Sequence, residues 1–311
     1  MRAVRQVLRS CAVMATATLV LAAAAAGGRA ETLVIGSVGK DVRSEFREFK
    51  PLAAYLEKEL ASAGIDKVEV LIVPTAAHMV EALRAGQVHL YPESPLVAAR
   101  VARDAGAVPL LRRWRKGSGE YWSEIIVNSD APIASLEDLR GKVIAFEDPD
   151  STSGHLLPRA MLLERGLKIQ TLAKPDDPVD ADSVGAIFTQ GDRSSILSLL
   201  GGRVAAVATD PHYVKMVEKE RPGAVRAIAR SISVPRHVMM RAGTMPEARA
   251  KKISDILLAM EHSAEGRAVL KAFGKTARFE AFPQGPAAAF EAIQAQLRLL
   301  EAEAALAPPT N

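Results

Sequence analysis

Cysteine is almost absent from this sequence, and Cys11 is the only one among 311 residues. A framework of disulfide bonds is therefore excluded, and so is a zinc site built from several thiolates. The six histidines do not compensate, because none of them occurs in a His-Glu-x-x-His spacing. We expect no metal and no cofactor.

Long apolar runs are scarce as well, and the run at Ala12–Ala26 is too short to span a membrane comfortably. Three arginines precede it, and Gly28-Arg29-Ala30 follows with small residues at the two positions that define a cleavage site. This pattern predicts a secretory signal peptide over residues 1–30, cleaved near Ala30, and a mature protein in the periplasm. Since Cys11 precedes the apolar run, no lipid anchor is expected.

An excess of charge of one sign is also missing outside the leader. The formal net charge is +4, but four of the 40 basic residues and none of the 36 acidic residues lie in residues 1–30. The mature chain therefore has 36 residues of each sign, which argues against nucleic acid or an anionic membrane as a partner. Its length of about 280 residues favours two domains.

Apolar strands alternate with amphipathic helices along the chain. A strand at Thr32–Ser37 is followed by a helix over Phe49–Leu60, a second strand at Val68–Val73, a helix that ends at Gly86, and a short strand at Val88–Tyr91. This alternation predicts parallel βαβ units and an α/β fold.

A similar unit occurs in each half of the chain. Leu83–Val88 followed by Pro92–Pro95 is echoed by Leu199–Val204 followed by Ala208–Pro211: a helix, a glycine stop, a strand and a polar loop closed by proline. Ligands of open α/β sheets bind at the carboxyl ends of the strands. We therefore expect one cleft that is lined by Tyr91, Glu93 and Ser94 on one side and by residues 151–154 and Asp210 on the other.

The chain crosses between the two halves twice. Arg112–Ser123 is basic, then glycine-bearing and aromatic, which suits a crossing strand, and the chain returns near Ile232–His237. We predict a discontinuous first lobe of residues 31–118 and 234–311, and a second lobe of residues 119–233. The basic run Arg112–Lys116 is interpreted as a solvated face.

The most informative stretch runs from Val143 to Arg159. A buried strand at Val143–Phe146 leads into a polar loop, and a helix opens at Ser151-Thr152-Ser153-Gly154. The first turn of a helix has unpaired N–H groups and a partial positive charge. Hydroxyls add donors, and glycine lets an anion approach the backbone. The loop predicts an anion site, and the alternative is that Ser151 is only an N-cap.

Two other functions of this loop are disfavoured. It lacks the Gly-Lys-Ser/Thr of a phosphate-binding loop for nucleoside triphosphates. Ser151 and His155 lie four residues apart, as a nucleophile and its base could, but no nucleophile elbow or third member accompanies them. We expect no catalysis, and we interpret His155 as a residue at the side or rim of the cleft.

Several segments together resemble a known family. They are Phe49–Leu60, Glu81–Val88, Tyr121–Ser123, Ser135–Lys142, Asp148–Gly154 and Val234–Pro235. They are similar to the solute-binding proteins of ABC importers for phosphate, phosphite and phosphonate. The resemblance covers essentially the whole mature chain. It implies the type II periplasmic-binding fold: two α/β lobes, each a mostly parallel sheet flanked by helices, joined by a two-strand hinge.

The resemblance also implies roles for particular residues. Ser151, Thr152 and Ser153 would hold an oxyanion at the helix N-terminus, and Tyr121 would add a phenolic donor from the hinge side. Three positions depart from the family pattern. Ala76 stands where many members have an aromatic residue, and Asp192-Arg193 stands where a His-Asp pair is common. Glu93 is an acid at a position where a phosphate-binding protein would gain little binding energy from one. Which oxyanion binds is therefore open.

Glu93 and Asp210 need an explanation in an anion site. One hypothesis is that they recognise an amine, a hydroxyl or a protonated oxygen on the far side of the ligand. The alternative is that both are solvated loop acids.

The resulting prediction is a monomeric periplasmic solute receptor that closes on a small oxyanion and delivers it to a membrane permease. An exported sensor that reports the oxyanion to a histidine kinase is the alternative. An enzyme acting on a phosphorylated substrate is a third possibility.

Overall fold

The computed structural model describes residues 31–39 and 41–306, and the predicted signal peptide lies outside this part of the chain. Its strands are β1 Glu31–Val38, β2 Ile65–Val73, β3 Leu90–Glu93, β4 Val108–Arg115, β5 Glu120–Tyr121, β6 Glu124–Asn128, β7 Val143–Phe146, β8 Lys168–Thr171, β9 Ser183–Phe188, β10 Ala206–Thr209, β11 Val225–Arg230, β12 Val234–Pro235, β13 Val238–Arg241 and β14 Thr276–Glu280.

The helices are α1 Val42–Leu60, α2 Ala76–Arg84, α3 Pro95–Ala105, α4 Leu157–Glu164, α5 Asp192–Leu200, α6 Pro211–Glu220, α7 Glu247–Ala259, α8 Ala264–Ala272 and α9 Gly285–Leu306. Among the described residues, none of these helices is both long and apolar enough to cross a bilayer.

The strands form two six-stranded sheets, one in each lobe. The first has the order β14-β4-β13-β3-β1-β2 and the second has the order β11-β6-β10-β7-β9-β8. Most strands of each sheet run in one direction, while β13 and β14 in the first sheet and β6 in the second run against it. The α/β fold with two lobes is therefore confirmed, with mixed sheets.

A third, two-stranded sheet connects the lobes. β5 pairs antiparallel with β12, Tyr121 opposite Val234 and Glu120 opposite Pro235. These strands lie where the sequence predicts the two crossings, and they form the hinge of the fold. The exact lobe boundaries stay a prediction.

The repeated unit of the sequence appears as a repeated local structure. β3 is followed by Ser94 and by α3, which begins at Pro95, and β10 is followed by Asp210 and by α6, which begins at Pro211. In both cases the residue before the proline is extended, and proline occupies the first helical turn, where its missing N–H costs nothing. The third strand lies slightly later than predicted, at Leu90–Glu93 instead of Val88–Tyr91.

The interpretation of the basic run as a solvated face is wrong. Arg113 is only 1% exposed, and it donates to the Thr276 hydroxyl at 2.7 Å and to the Phe273 carbonyl at 2.9 Å. Arg112 is also buried and is paired with Glu280. Both arginines join β4 to the C-terminal segment, because a buried guanidinium must find acceptors for its many donors.

Helix α4 follows the predicted anion loop in the second lobe, but it packs against helix α9, and the turn that precedes it contacts helix α3. Leu157 and Ala160 belong to one apolar cluster with Leu96 of α3 and with Ile293 and Leu297 of α9. Two polar contacts border this cluster: Arg159 forms a bidentate pair with Glu303, with both N–O distances 2.7 Å, and Gln296 donates to Glu164 at 3.0 Å. The cluster therefore fixes the helix behind the loop.

We predict that Leu157→Ala lowers the free energy of unfolding by about 2–5 kcal/mol, because it leaves a cavity in a cluster from which Leu157 has no exposed surface. Urea titration measures the change. Leu197→Ala is the matched control, since that leucine is 69% exposed and its loss should cost less than about 0.5 kcal/mol. Equal losses in the two variants would contradict the packing described for α4.

Candidate anion-binding cleft

A cavity of about 700 Å³ lies between the two lobes and against the hinge. The first lobe contributes Thr75, Glu93 and Ser94, and the second lobe contributes residues 147–153, Asp192, Asp210 and Tyr213. The hinge region contributes Lys116, Tyr121, Arg236 and His237. Seven of the ten predicted site residues line it: Glu93, Ser94, Tyr121, Ser151, Thr152, Ser153 and Asp210.

The predicted loop forms a tight turn before α4. Thr152–Leu156 is a single π-helical turn, in which the N–H groups of His155 and Leu156 both donate to the Ser151 carbonyl, at 3.1 and 2.9 Å. Within the described residues, the N–H groups of Thr152 and Ser153 donate no hydrogen bond. These two N–H groups are at the positive end of the turn and belong to residues that line the cavity, which is the arrangement that binds an anion.

Hydroxyl groups surround these N–H groups. The Thr152 side chain is 2% exposed and lies beside the Tyr121 hydroxyl, yet its Oγ1 atom makes no hydrogen bond of normal geometry to the described residues. Burial raises the pKa of Tyr121, so its hydroxyl keeps its proton and is a donor. The Ser123 hydroxyl donates to the Ser153 carbonyl at 2.6 Å, which fastens the turn to the strand after the hinge.

Ser151 is committed to the structure of the turn. Its Oγ accepts the Gly154 N–H at 3.0 Å and donates its one proton to Glu147 Oε2 at 2.5 Å. The alternative role of an N-cap is thus the one that the structure gives to Ser151. The free donors are the hydroxyls of Thr152, Ser153 and Tyr121 together with the two N–H groups.

Three predicted site residues do not line the cavity. Tyr91 is completely buried, and its hydroxyl donates to Glu93 at 2.7 Å. Gly154 faces the protein interior, where an added Cβ would lie 2.5 Å from the Glu147 Cβ. Both residues lie behind the cavity wall, in contact with Glu93 and Glu147, which line the cavity.

His155 is the third of these residues, and it is neither at the rim nor a base. Its Nδ1 donates to the Pro149 carbonyl at 2.7 Å, and its ring lies 5.0 and 4.9 Å from the Phe146 and Phe188 rings. Burial lowers its pKa to about 4, so it is neutral. Nothing in the sequence indicated that the His155 ring would bond to the Pro149 carbonyl and pack on the two phenylalanine rings.

Glu93 and Asp210, the two acids that needed an explanation, both have hydrogen-bond or ion-pair partners within the protein. Glu93 accepts the Ser94 N–H at 2.5 Å and the Tyr91 hydroxyl, and burial raises its pKa. Asp210 accepts the His212 N–H at 2.8 Å through Oδ1, while Oδ2 contacts Arg236 and lies 3.6 Å from the Lys116 Nζ. With 4% exposure, Asp210 is not a solvated acid, and its oxygens are already occupied.

Sequence reasoning missed the cations of the cavity. Arg236 lies with its Cζ 4.6 Å from the Tyr121 ring centre, and the Lys116 Nζ lies 4.6 Å from the Tyr213 ring centre. The available signal was position: Lys116 comes just before the first hinge strand, and Arg236 comes directly after the second. A hinge places its flanking residues at the cleft.

Glu147 and Asp192 form a carboxyl pair that was also missed. Burial, and next the carboxylate of Asp192, raise the pKa of Glu147 to about 7. Burial likewise raises the pKa of Asp192, although the Thr209 hydroxyl donates to it at 2.8 Å. Each carboxylate disfavours the ionisation of the other, which adds to the effect of burial on Glu147.

Comparisons with known proteins agree with this architecture. The model of one protein family, described as "ABC transporter, phosphonate, periplasmic substrate-binding protein", matches residues 40–284. The chain is 32% identical over 217 residues to the phosphate-import protein PhnD of Mycolicibacterium smegmatis, which covers 66% of this chain and 64% of that protein. It is 24% identical over 235 residues to the phosphonates-binding periplasmic protein of Escherichia coli, covering 73% and 65%. The matches thus span slightly less than two thirds of either relative.

Solved structures with the same fold include XAC2383 of Xanthomonas citri bound to ATP, with a TM-score of 0.78 and 26% identity over 87% of this chain and 98% of that chain. PhnD1 of Prochlorococcus marinus in complex with methylphosphonate has a TM-score of 0.62 and 17% identity, with 88% and 99% covered. The second likeness concerns the fold alone.

The carboxyl pair predicts a pH-dependent stability. Because the folded state raises the pKa of Glu147 from 4.5 to about 7, it favours the protonated form, and this stabilisation is lost as the pH rises through 7. We expect wild-type protein to lose about 1–3 kcal/mol more than Glu147→Gln between pH 5 and pH 8. Urea titration at both pH values measures it.

Glu81→Gln is the control, since Glu81 is an exposed glutamate on α2, and it should keep the wild-type pH profile. An identical profile in the Glu147→Gln protein would refute the raised pKa of Glu147.

Proposed function

This chain belongs to the family of periplasmic substrate-binding proteins of phosphonate ABC transporters, and we propose that it captures a small phosphorus oxyanion of the phosphonate, phosphite or phosphate class. The captured ligand is passed to the membrane permease of an ABC importer. The family favours this partner over a sensor kinase. The monomeric state stays a prediction.

The observation that carries the proposal is the turn at residues 151–153. Among the described residues, the backbone N–H groups of Thr152 and Ser153 and the buried Thr152 hydroxyl have no hydrogen-bond partner, and both residues line the cavity. The Ser153 and Tyr121 hydroxyls lie on the same wall. Five donors on one wall of the cavity suit a tetrahedral oxyanion, which has several acceptor oxygens.

The energies are sufficient for tight capture. A micromolar Kd corresponds to about −8 kcal/mol, and a hydrogen bond to a charged group contributes roughly 1.5–3 kcal/mol. Three or four such bonds meet the requirement once the cleft excludes water. Closure supplies that exclusion: a ligand that contacts both lobes favours the closed state, and the two hinge strands allow it.

Binding without turnover fits the side chains best. The Ser151 proton is donated to Glu147, and His155 points away from Ser151 towards the Pro149 carbonyl. No serine–histidine pair therefore forms at the turn.

A larger phosphorylated ligand is the second candidate, and the cavity volume favours it. About 700 Å³ is within the range of pockets that hold drug-sized molecules, and the similar XAC2383 structure contains ATP. A nucleotide would place one phosphate at the turn and its remaining parts in the outer cavity.

The test is a thermal-shift series with phosphate, phosphite, hypophosphite, methylphosphonate and ATP on ligand-free protein. A ligand at a hundred times its Kd stabilises by about 2.7 kcal/mol, which raises the Tm by about 5–10 °C. We expect such a shift for at least one of these ligands. The Thr152→Val and Ser153→Ala proteins should lose most of it.

Ser194→Ala is the matched control, because this serine is exposed on α5 and does not line the cavity. A shift of wild-type size in the Thr152→Val/Ser153→Ala double variant would place the anion elsewhere. The absence of any shift with wild-type protein would refute the proposed ligand class.

A further inference from the structure

We propose that the cleft binds a proton together with its oxyanion, and that the Glu147 carboxyl group beside the turn of residues 151–153 accepts this proton from the solvent. The captured species is then the anion plus one proton, and capture weakens as the pH rises. This inference rests on the proposed function and deepens it, because it specifies the charge state in which the cleft holds its ligand.

The cavity has a surplus of acidic groups. Six carboxyl groups line it, against only three cations. Neutral donors such as the Ser151 hydroxyl stabilise a carboxylate, but they leave its negative charge in place. An oxyanion that enters this cavity adds charge of the same sign, and the repulsion is relieved if one of the carboxyl groups takes up a proton.

The three cations lie close to acids other than Glu147. Arg115 lies 3.7 Å from Glu48, outside the cavity lining. Arg236 and Lys116 both approach the Oδ2 atom of Asp210, the lysine at 3.6 Å. Their positive charge is therefore directed mainly to those carboxylates.

Glu147 is surrounded by titratable groups from three neighbouring elements. Asp192 at the start of α5, Tyr213 of α6 and Lys116 beside the hinge all face it. Burial, and next the charge of Asp192, raise the pKa of Glu147 to about 7, and Lys116 opposes this only in part. Burial also raises the pKa of Tyr213, so its hydroxyl keeps its proton. Glu147 is thus placed to change its charge near neutral pH.

The loop of Glu147 carries two further acids, which have other neighbours. Asp148 accepts the Asp150 N–H at 3.0 Å, and Asp150 is exposed and lies 3.5 Å from Arg100. Within this loop, the contact of Glu147 is the Ser151 hydroxyl, which donates to its Oε2 atom at 2.5 Å.

The candidate anion site lies directly beside the Glu147 carboxylate. Ser151 contacts its Oε2 atom, and a Cβ added at Gly154 would lie 2.8 Å from the same atom. The two N–H groups without a partner among the described residues belong to Thr152 and Ser153, which lie between these two contacts in the chain. An anion held by these N–H groups places its negative charge near Glu147 and raises the pKa of that carboxyl group further.

A protonated Glu147 has a hydrogen-bond acceptor within reach. The Asp192 carboxylate is close enough to form a side-chain hydrogen bond with Glu147. Ser151 occupies Oε2 of Glu147, so Oε1 can carry the added proton while the hydrogen bond that closes the turn is kept. Proton uptake is therefore compatible with the turn that binds the anion.

The direction of the pH effect follows from linkage. The anion raises the pKa of Glu147, so the complex holds more protons than the free protein, and its affinity falls as the pH rises. Well below pH 7 the free protein already carries the proton, and the affinity is highest there. Above pH 7 the anion must bring the proton in, which raises the Kd by at most about tenfold per pH unit.

Isothermal titration of the mature protein with hypophosphite tests the inference at pH 5.5 and pH 8, in buffers of different ionisation enthalpy. Hypophosphite keeps a single negative charge at both pH values, so every proton taken up goes to the protein. We expect an uptake of about 0.5–1 proton per anion at pH 8 and roughly none at pH 5.5, with a Kd roughly fivefold or more higher at pH 8.

Methylphosphonate and phosphate are the further probes, and their own ionisation cancels when wild type and variants are compared. An uptake near zero at pH 8 would overturn the inference and leave the proposed function intact. Failure of all three probes to bind at either pH would refute the proposed function itself.

Glu147→Gln assigns the proton, because the amide imitates the protonated acid: it accepts from Ser151 and can donate to Asp192. We expect this variant to bind like wild type at pH 5.5 and roughly fivefold or more tightly than wild type at pH 8, with the uptake lost. A residue with a purely structural role would weaken binding when it is replaced. Glu81→Gln, on the exposed face of α2 outside the cavity, should keep the wild-type uptake.

Uptake that persists in Glu147→Gln would place the proton on another group of the cavity, such as His237, and would overturn the assignment. If Glu147→Gln fails to fold, Asp192→Asn replaces it. Loss of the neighbouring carboxylate lowers the pKa of Glu147, so the rise in Kd should begin at a lower pH than in wild type. An unchanged onset would contradict the role of Glu147.

Discussion

The turn that forms the candidate anion site depends on the hydrogen bonds of the Ser151 hydroxyl. Ser151 gives its proton to Glu147 and accepts the Gly154 N–H, whereas the N–H groups of Thr152 and Ser153 between them have no partner in the described part of the chain. Unpaired N–H groups at a helix start bind an anion more strongly when they are kept out of bulk water. The Ser123–Ser153 bond and the apolar cluster behind α4 provide that setting.

The electrostatic potential of the cleft depends on which of its charged side chains pair with each other, more than on how many there are. Its lining contains more carboxyl groups than cations, which would repel a phosphorus oxyanion if all were free. Burial instead raises the pKa of Glu147 and of Asp192, and Asp210 pairs with Arg236 and Lys116. The charge that a ligand meets is therefore the charge that remains after these internal pairs have formed.

The position of the hinge explains why the missed residues matter. β5 and β12 pair side by side, so Lys116 and Arg236, about 120 residues apart along the chain, flank the same wall of the cavity. A second connection limits closure, because α4 and α9 are joined by the Arg159–Glu303 pair and by apolar packing. Movement of the lobes must accommodate that contact.

Local chemistry was sufficient to predict a large part of this protein. The alternation of strands and helices, the two crossings and the hydroxyl-rich helix start at Ser151–Gly154 are short-range patterns, since each depends on neighbours within a few residues. The charged partners of Asp210 and the acceptors of Arg113 were not predictable, because they come from distant segments. Whether a polar side chain caps a helix, pairs with a charge or faces a ligand depends on which segments the fold brings beside it, and only the tertiary structure decided that.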